Sequence, residues 1–138
     1  MDIRYPARIE AQADGGYLVT FIDMADTFTE GSTLDEALFN AAEVLSAMLA
    51  VKLDESMDIL PATPDLQGVH YIAPDAKTQA AMLLRLARGG RTLSELARAL
   101  ETSWPAARRL EDPRHWPSLK TLDRAAAALG KRLLLVLE

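Results

Sequence analysis

Three aspartates beside turn residues, Asp14, Asp23 and Asp26, come closest in this sequence to a catalytic constellation. Carboxylates that converge on one point can hold the two metal ions of a phosphoryl-transfer site, which would make the chain a magnesium-dependent nuclease. Turns also favour aspartate for its local hydrogen bonds, and that is the reading the spacing supports better. The two histidines, His70 and His115, fall in different halves of the chain, with no serine, acid or metal-ligand spacing around either. Cysteine is absent, which removes thiolate catalysis, disulfides and cysteine-bound metals, and agrees with a reducing, cytoplasmic setting. Gly15-Gly16 and Gly89-Gly90 lack the following Lys-Ser/Thr of a phosphate loop. The expectation is no enzyme, no catalytic residue, no metal and no cofactor.

Binding chemistry is better represented, in the second half. Ser103, Trp104 and Pro105 read as the start of a short helix that carries Arg108 and Arg109, with Arg91, Arg114 and Lys120 as flanking cations. Guanidinium forks suit phosphates or the O6/N7 edge of guanine. Ser103, Trp104, Ala106, Arg108, Arg109, Arg114 and Lys120 are the candidate DNA contacts, Arg108 toward bases and Arg109 toward phosphate or a structural role. Trp104 suits a thymine methyl, a sugar or simple packing, and Trp116 is expected to pack.

Charge divides the chain in the same way. Residues 1–66 hold thirteen acids against three bases, a net of −10, whereas residues 67–138 hold twelve bases against seven acids, a net of +5. A basic module suits a polyanion and an acidic one repels it. Pro61, Pro64, Gly68 and Pro74 interrupt any long helix between Asp58 and Asp75, so a boundary is expected near 66–74, with domains at 1–70 and 74–138. No apolar run reaches the roughly 18 residues that cross a bilayer, and no apolar signal core follows the N-terminus, so neither a membrane span nor secretion by that route is expected.

The acidic module begins with alternation over residues 3–11, a half-buried strand that Pro6 should place at a sheet edge. Asp14-Gly15-Gly16 turns it into Tyr17–Ile22, and a third short strand is expected around Thr27–Glu30. Thr33 and Glu36 form a capping box for a helix of about five turns, with Leu34, Leu38, Ala41, Leu45, Met48 and Leu49 along its apolar stripe. Val69–Ile72 is a further strand candidate. The basic module reads as helices: Asp75 to Arg88, one capped by Thr92 and Glu95, Trp104–Glu111, and one opened by Pro117-Ser118 and ended by Gly130. Leu119, Leu122, Ala125, Ala126 and Leu129 are its expected apolar side, and Arg132 to Leu137 reads as a closing apolar strand.

Two short helices joined by about three residues form a helix-turn-helix pattern. "SELARALETSWPAARRL" followed by "PSLKTLDRAAAALG" resembles the Xre/Cro-type helix-turn-helix family, with Trp104–Leu110 as recognition helix. Glu101 stands where that family often has glycine, and Trp104 where it often has glutamine. The stretch "IRYPARIEAQADGGYLVTFIDMADTFTEGSTLDEALFNAAEVL", with the acidic first half and the attached helices, resembles the HicB antitoxin family over nearly the whole chain. That resemblance implies an α+β fold: a degenerate ribonuclease-H-like sheet plus helix that has lost nuclease activity, then an all-α helix-turn-helix domain with a short C-terminal strand. It also implies inhibition of a HicA-type toxin, a small basic ribonuclease that cleaves messenger RNA, and repression of the operon through operator double-stranded DNA. Tyr17, Asp23, Met24, Asp26 and Glu30 are the candidate toxin contacts, expected in exposed loops. A homodimer or tetramer follows from the two-fold symmetry of operators. A stand-alone regulator, with an N-terminal domain that binds a ligand or only oligomerises, would use the same DNA module.

Overall fold

The computed structural model describes residues 2–138. They separate into two compact units, one running to Ala76 and the other beginning at Lys77.

The first unit is a four-stranded antiparallel sheet with one long helix. Strands β1 (Tyr5–Ala11), β2 (Tyr17–Phe21), β3 (Phe28–Gly31) and β4 (His70–Ile72) lie in the order β3-β2-β1-β4. The register sets Ala7 opposite Phe21 and Ile9 opposite Val19, and Val19 opposite Thr29. Because side chains alternate, Tyr5, Ala7, Val19, Phe21 and Ile72 share one buried face. Helix α1 (Leu34–Asp54) lays Ala37, Ala41, Leu45, Leu49 and Leu53 among the buried residues. Leu34, expected on that stripe, is exposed instead, because it sits in the first helical position beyond the sheet's apolar face.

The entry to α1 is fixed by its cap. Thr33 Oγ1 accepts from Glu36 N at 3.1 Å, while the Glu36 carboxylate accepts from Ser32 Oγ at 2.7 Å. Gly31, at the end of β3, leaves no room for a side chain: a Cβ there would meet Ala37 N at 2.4 Å.

Pro6 does not lie on an edge. β1 is central, paired with β2 on one side and β4 on the other. The proline is tolerated because it stands opposite Ile22, one residue beyond the end of β2; its carbonyl still accepts from Ile22 N at 3.1 Å, and only the donor is missing.

The second unit is helical: α2 (Ala76–Arg88), α3 (Leu93–Ala99), α4 (Trp104–Arg109) and α5 (Leu119–Ala128). Leu84, Leu96, Ala97, Ala107, Leu110, Ala125 and Leu129 form its core, with Leu93, Leu100 and Leu122 packed against them. Thr92, Ser103 and Ser118 each cap a helix by accepting a backbone N–H three residues on. Glu111, 4 % exposed, receives both arms of Arg88, Nε at 2.6 Å and Nη2 at 2.9 Å. That pairing ties the end of α2 to the segment after α4.

Three expectations fail in this unit. Leu119 is exposed rather than inward. Trp116 is 67 % exposed, and its ring face is covered by Lys77 Nζ at 5.8 Å instead of by core residues. Residues 131–138 form no strand, and Leu134 to Leu137 are exposed. A strand needs a backbone neighbour, and the described residues of this helical unit offer none.

Candidate nucleic-acid interface and partner-binding surface

In the helical unit the candidate contacts gather at α4. Ser103 is its N-cap, accepting from Ala106 N at 3.2 Å, and Pro105 lies in the first turn, where a missing N–H is harmless. Ala107 turns inward and is fully buried, which anchors the helix, while Trp104 and Arg109 are exposed and Arg108 is half-buried. With Pro105, Asp112 and Arg114 they line an open cleft of about 340 Å³. Asp112 positions Arg114, its Oδ1 accepting from Arg114 N at 2.9 Å and from Nε at 3.2 Å. Three guanidinium groups and one carboxylate leave the cleft cationic beside an exposed indole. The signal for Asp112 was present in the Asp-Pro break after α4, but a turn aspartate gives no sign of which arginine it will hold. Lys120 lies exposed in the first turn of α5 and does not line the cleft, and Arg91 is exposed after α2.

In the sheet unit the five candidate toxin contacts separate. Tyr17 and Glu30 lie at the end of the sheet that carries the β1–β2 turn, where they line a polar cleft of about 490 Å³ with Asp14, Ser32 and Glu36. Asp23, Met24 and Asp26 belong to the β2–β3 connection, at the opposite end of β2. Met24 is not an exposed loop residue: at 7 % exposure it is part of the core. Asp23 holds the chain segment that returns to β4, accepting from Thr63 N at 2.8 Å and Thr63 Oγ1 at 2.6 Å. Tyr5 Oη donates to Leu60 O at 2.8 Å, and Tyr71 Oη donates to Thr63 O at 2.6 Å while accepting from Leu66 N at 3.1 Å. Burial first, then the charges of Asp23 and Asp2, push the Tyr5 phenol above its ordinary value. Asp26 is exposed, with φ of 55°.

The face of the sheet opposite the buried one carries Arg8, Glu10, Leu18, Thr20, Phe28 and Glu30, as the register requires. Phe28, which sequence reasoning passed over, is 62 % exposed there. Its parity with Glu30 across a single residue was the available signal. Among the described residues no group of three or more His, Cys, Asp or Glu side chains is arranged to hold a metal ion, and no helix is long and apolar enough to cross a membrane.

A family profile described as "HicB_like antitoxin of bacterial toxin-antitoxin system" matches residues 4–74, nearly the whole sheet unit. Similarity to individual proteins extends over both units. Antitoxin HicB 2 of Photorhabdus laumondii is 30 % identical over 137 residues, covering 98 % of this chain and 96 % of that protein. Antitoxin HicB of Escherichia coli K12 is 29 % identical over 137 residues, covering 98 % of this chain and 99 % of the relative.

Proposed function

Because the chain belongs to the HicB-like antitoxin family, we propose that it neutralises a HicA-type, messenger-RNA-cleaving toxin through its sheet unit and represses its own operon through its helical unit. The antitoxin role follows from the family; the partner, the operator and the division of labour are the proposal. The observation that carries it is the separation of charge. Residues up to Ala76 hold fourteen acids and three bases, a net of −11, and residues from Lys77 hold six acids and twelve bases, a net of +6. One polypeptide thus offers an acidic surface to a basic RNA-binding protein and a cationic surface to DNA.

For the toxin, inhibition is steric and electrostatic. Phe28 and Leu18 give the open sheet face an apolar patch, and Glu10 and Glu30 flank it; Tyr17, Glu30 and Asp26 remain exposed or half-exposed among the candidate contacts. Asp23 acts through the loop it holds. The degenerate ribonuclease-H-like origin of this unit is part of the same reading, supported by one sheet covered on one face by a long helix.

For the operator, α3, the turn Leu100–Ser103 and α4 serve as a helix-turn-helix, with α4 in the major groove. Arg108 reaches bases, Arg109 and Arg114 hold phosphate, and Trp104 contacts a thymine methyl or sugar. Lys120 and Ser103 add backbone contacts. Two copies, or four, match the two-fold symmetry of an operator, and the protein works in the cytoplasm without a membrane.

The test is co-expression with the product of an adjacent small open reading frame, followed by co-purification and a mobility-shift assay on the DNA upstream of the pair. A stable complex that shifts this DNA is expected. A shift without any complex would leave a stand-alone regulator, and a complex without a shift would remove the operator role.

A further inference from the structure

β3 ends the sheet order, with β2 on its inner side and no strand beyond it among the described residues. Which of its backbone groups face outward follows from one bond. Phe21 N donates to Thr27 O at 3.0 Å, and the continuous register then turns the N–H and C=O groups of Thr29 toward β2. Phe28 and Glu30 point theirs the other way. Glu30 O accordingly meets a helix side chain, accepting from Asn40 Nδ2 at 2.8 Å. Phe28 N–H, Phe28 C=O and Glu30 N–H have no backbone partner among the described residues. Lysine, proline or a bulge commonly guards such an edge, and β3 carries none of them. Its guards are its length of four residues, the Asn40 amide and negative charge.

That charge is selective. From Ile9 to Val51, the stretch that builds β2, β3 and most of α1, the chain holds eight acids and no lysine or arginine. Glu36 and Glu43 stand four residues before and three after Asn40, so they share the side of α1 that reaches the edge. A second copy of β3 would bring Glu30 against the same acids and be repelled, whereas a cationic strand is attracted.

We propose that β3 is an edge for strand addition, at which an extended basic segment of the protein partner continues the sheet. The proposal rests on the toxin reading above and specifies how that partner is held. Main-chain bonds to Phe28 and Glu30 supply affinity, and the incoming N–H replaces Asn40 at Glu30 O. Side chains of the added strand alternate between the two faces. On the open face an apolar one extends the patch of Phe28 and Leu18, and cationic ones meet Glu30 there and Glu36 or Glu43 on the helix side.

Amide hydrogen exchange of the full-length protein, read by NMR with and without the purified product of an adjacent small open reading frame, tests this directly. Alone, the Phe28 and Glu30 amides should exchange at least about tenfold faster than that of Thr29, which faces β2. In the complex both should slow at least about tenfold. A complex in which they exchange as fast as before overturns strand addition and leaves the toxin reading intact; absence of any complex overturns both. Two variants then separate backbone from ring. Phe28→Pro removes an outward donor and no bond to β2, whereas Phe28→Ala removes the ring and keeps the donor. The proline variant should bind the same product at least about tenfold more weakly than the alanine variant, and equal affinities would contradict the pairing. The exchange measurement uses the parent sequence, so it decides the matter even where the proline variant fails to fold.

Discussion

Glu101 adopts φ of 53° in the turn between α3 and α4, a left-handed conformation that costs a side-chain-bearing residue about 1 kcal/mol relative to glycine. Glu101→Gly should therefore raise the stability of the helical unit by about 1 kcal/mol in denaturant unfolding while leaving operator affinity unchanged. The departure from glycine was legible in the sequence; the left-handed backbone that makes it costly was not, because a residue type does not report its own φ. Asp23 teaches the converse. Its place in an acidic loop suggested a surface contact, but its partner Thr63 is 40 positions away, and a hydrogen bond over that separation leaves no local trace. Tyr5 has a similar long-range tie, to Leu60. Its phenol is raised above the ordinary value, chiefly by burial, so the protonated form is favoured in the folded state. The stability this contributes is fully present below about pH 10 and is lost as pH rises through the raised value. Tyr5→Phe should flatten the alkaline decline in melting temperature; an unchanged decline would assign it to other groups.

Elements were more legible than their neighbours. The alternation over β1 and β2, the Thr33 cap and the helical stripes all depend on residues close in sequence, and the strands and helices follow them. Pro6 misdirected the expectation of an edge because strand order depends on where β4 returns, and β4 arrives from beyond residue 66. The C-terminal strand expectation failed for lack of a partner in the same unit, although the apolar run itself was real. Two element contacts are open to direct test. Gly31→Ala would drive a Cβ into the backbone of α1 at Ala37 and Glu36, and should cost about 3 kcal/mol or unfold the sheet unit. A loss below about 0.5 kcal/mol in urea unfolding would mean that α1 yields easily at its first turn. Between α2 and the segment after α4, Glu111→Ala removes the carboxylate that takes two arms of the Arg88 guanidinium, leaving it only the bond from Nη1 to Arg91 O, and should cost about 3 kcal/mol.

At the scale of the molecule, opposite net charges on two units of one chain suggest two partners of opposite charge, and this division was visible before any fold was known. Which side chains each unit presents was not, because the register of β2 and β3 decides that Phe28 joins Glu30 and Leu18, and the packing of Ala107 decides which side of α4 is outward. If α4 reads operator DNA, Arg108→Ala should weaken operator binding by about 1–3 kcal/mol and relax discrimination at one base pair, whereas Arg114→Ala should weaken all sequences alike and lower the salt slope by about one. Equal effects of both variants on specific and unrelated DNA would assign α4 to phosphate contacts only. The central claim concerns the other unit. Its most direct measurement is messenger-RNA cleavage by the product of an adjacent small open reading frame, titrated with the full-length protein. The account predicts that cleavage falls to zero at a fixed stoichiometric ratio, and that a variant with Phe28→Asp needs a large excess to reach the same suppression. Cleavage that continues undiminished under saturating full-length protein would contradict it.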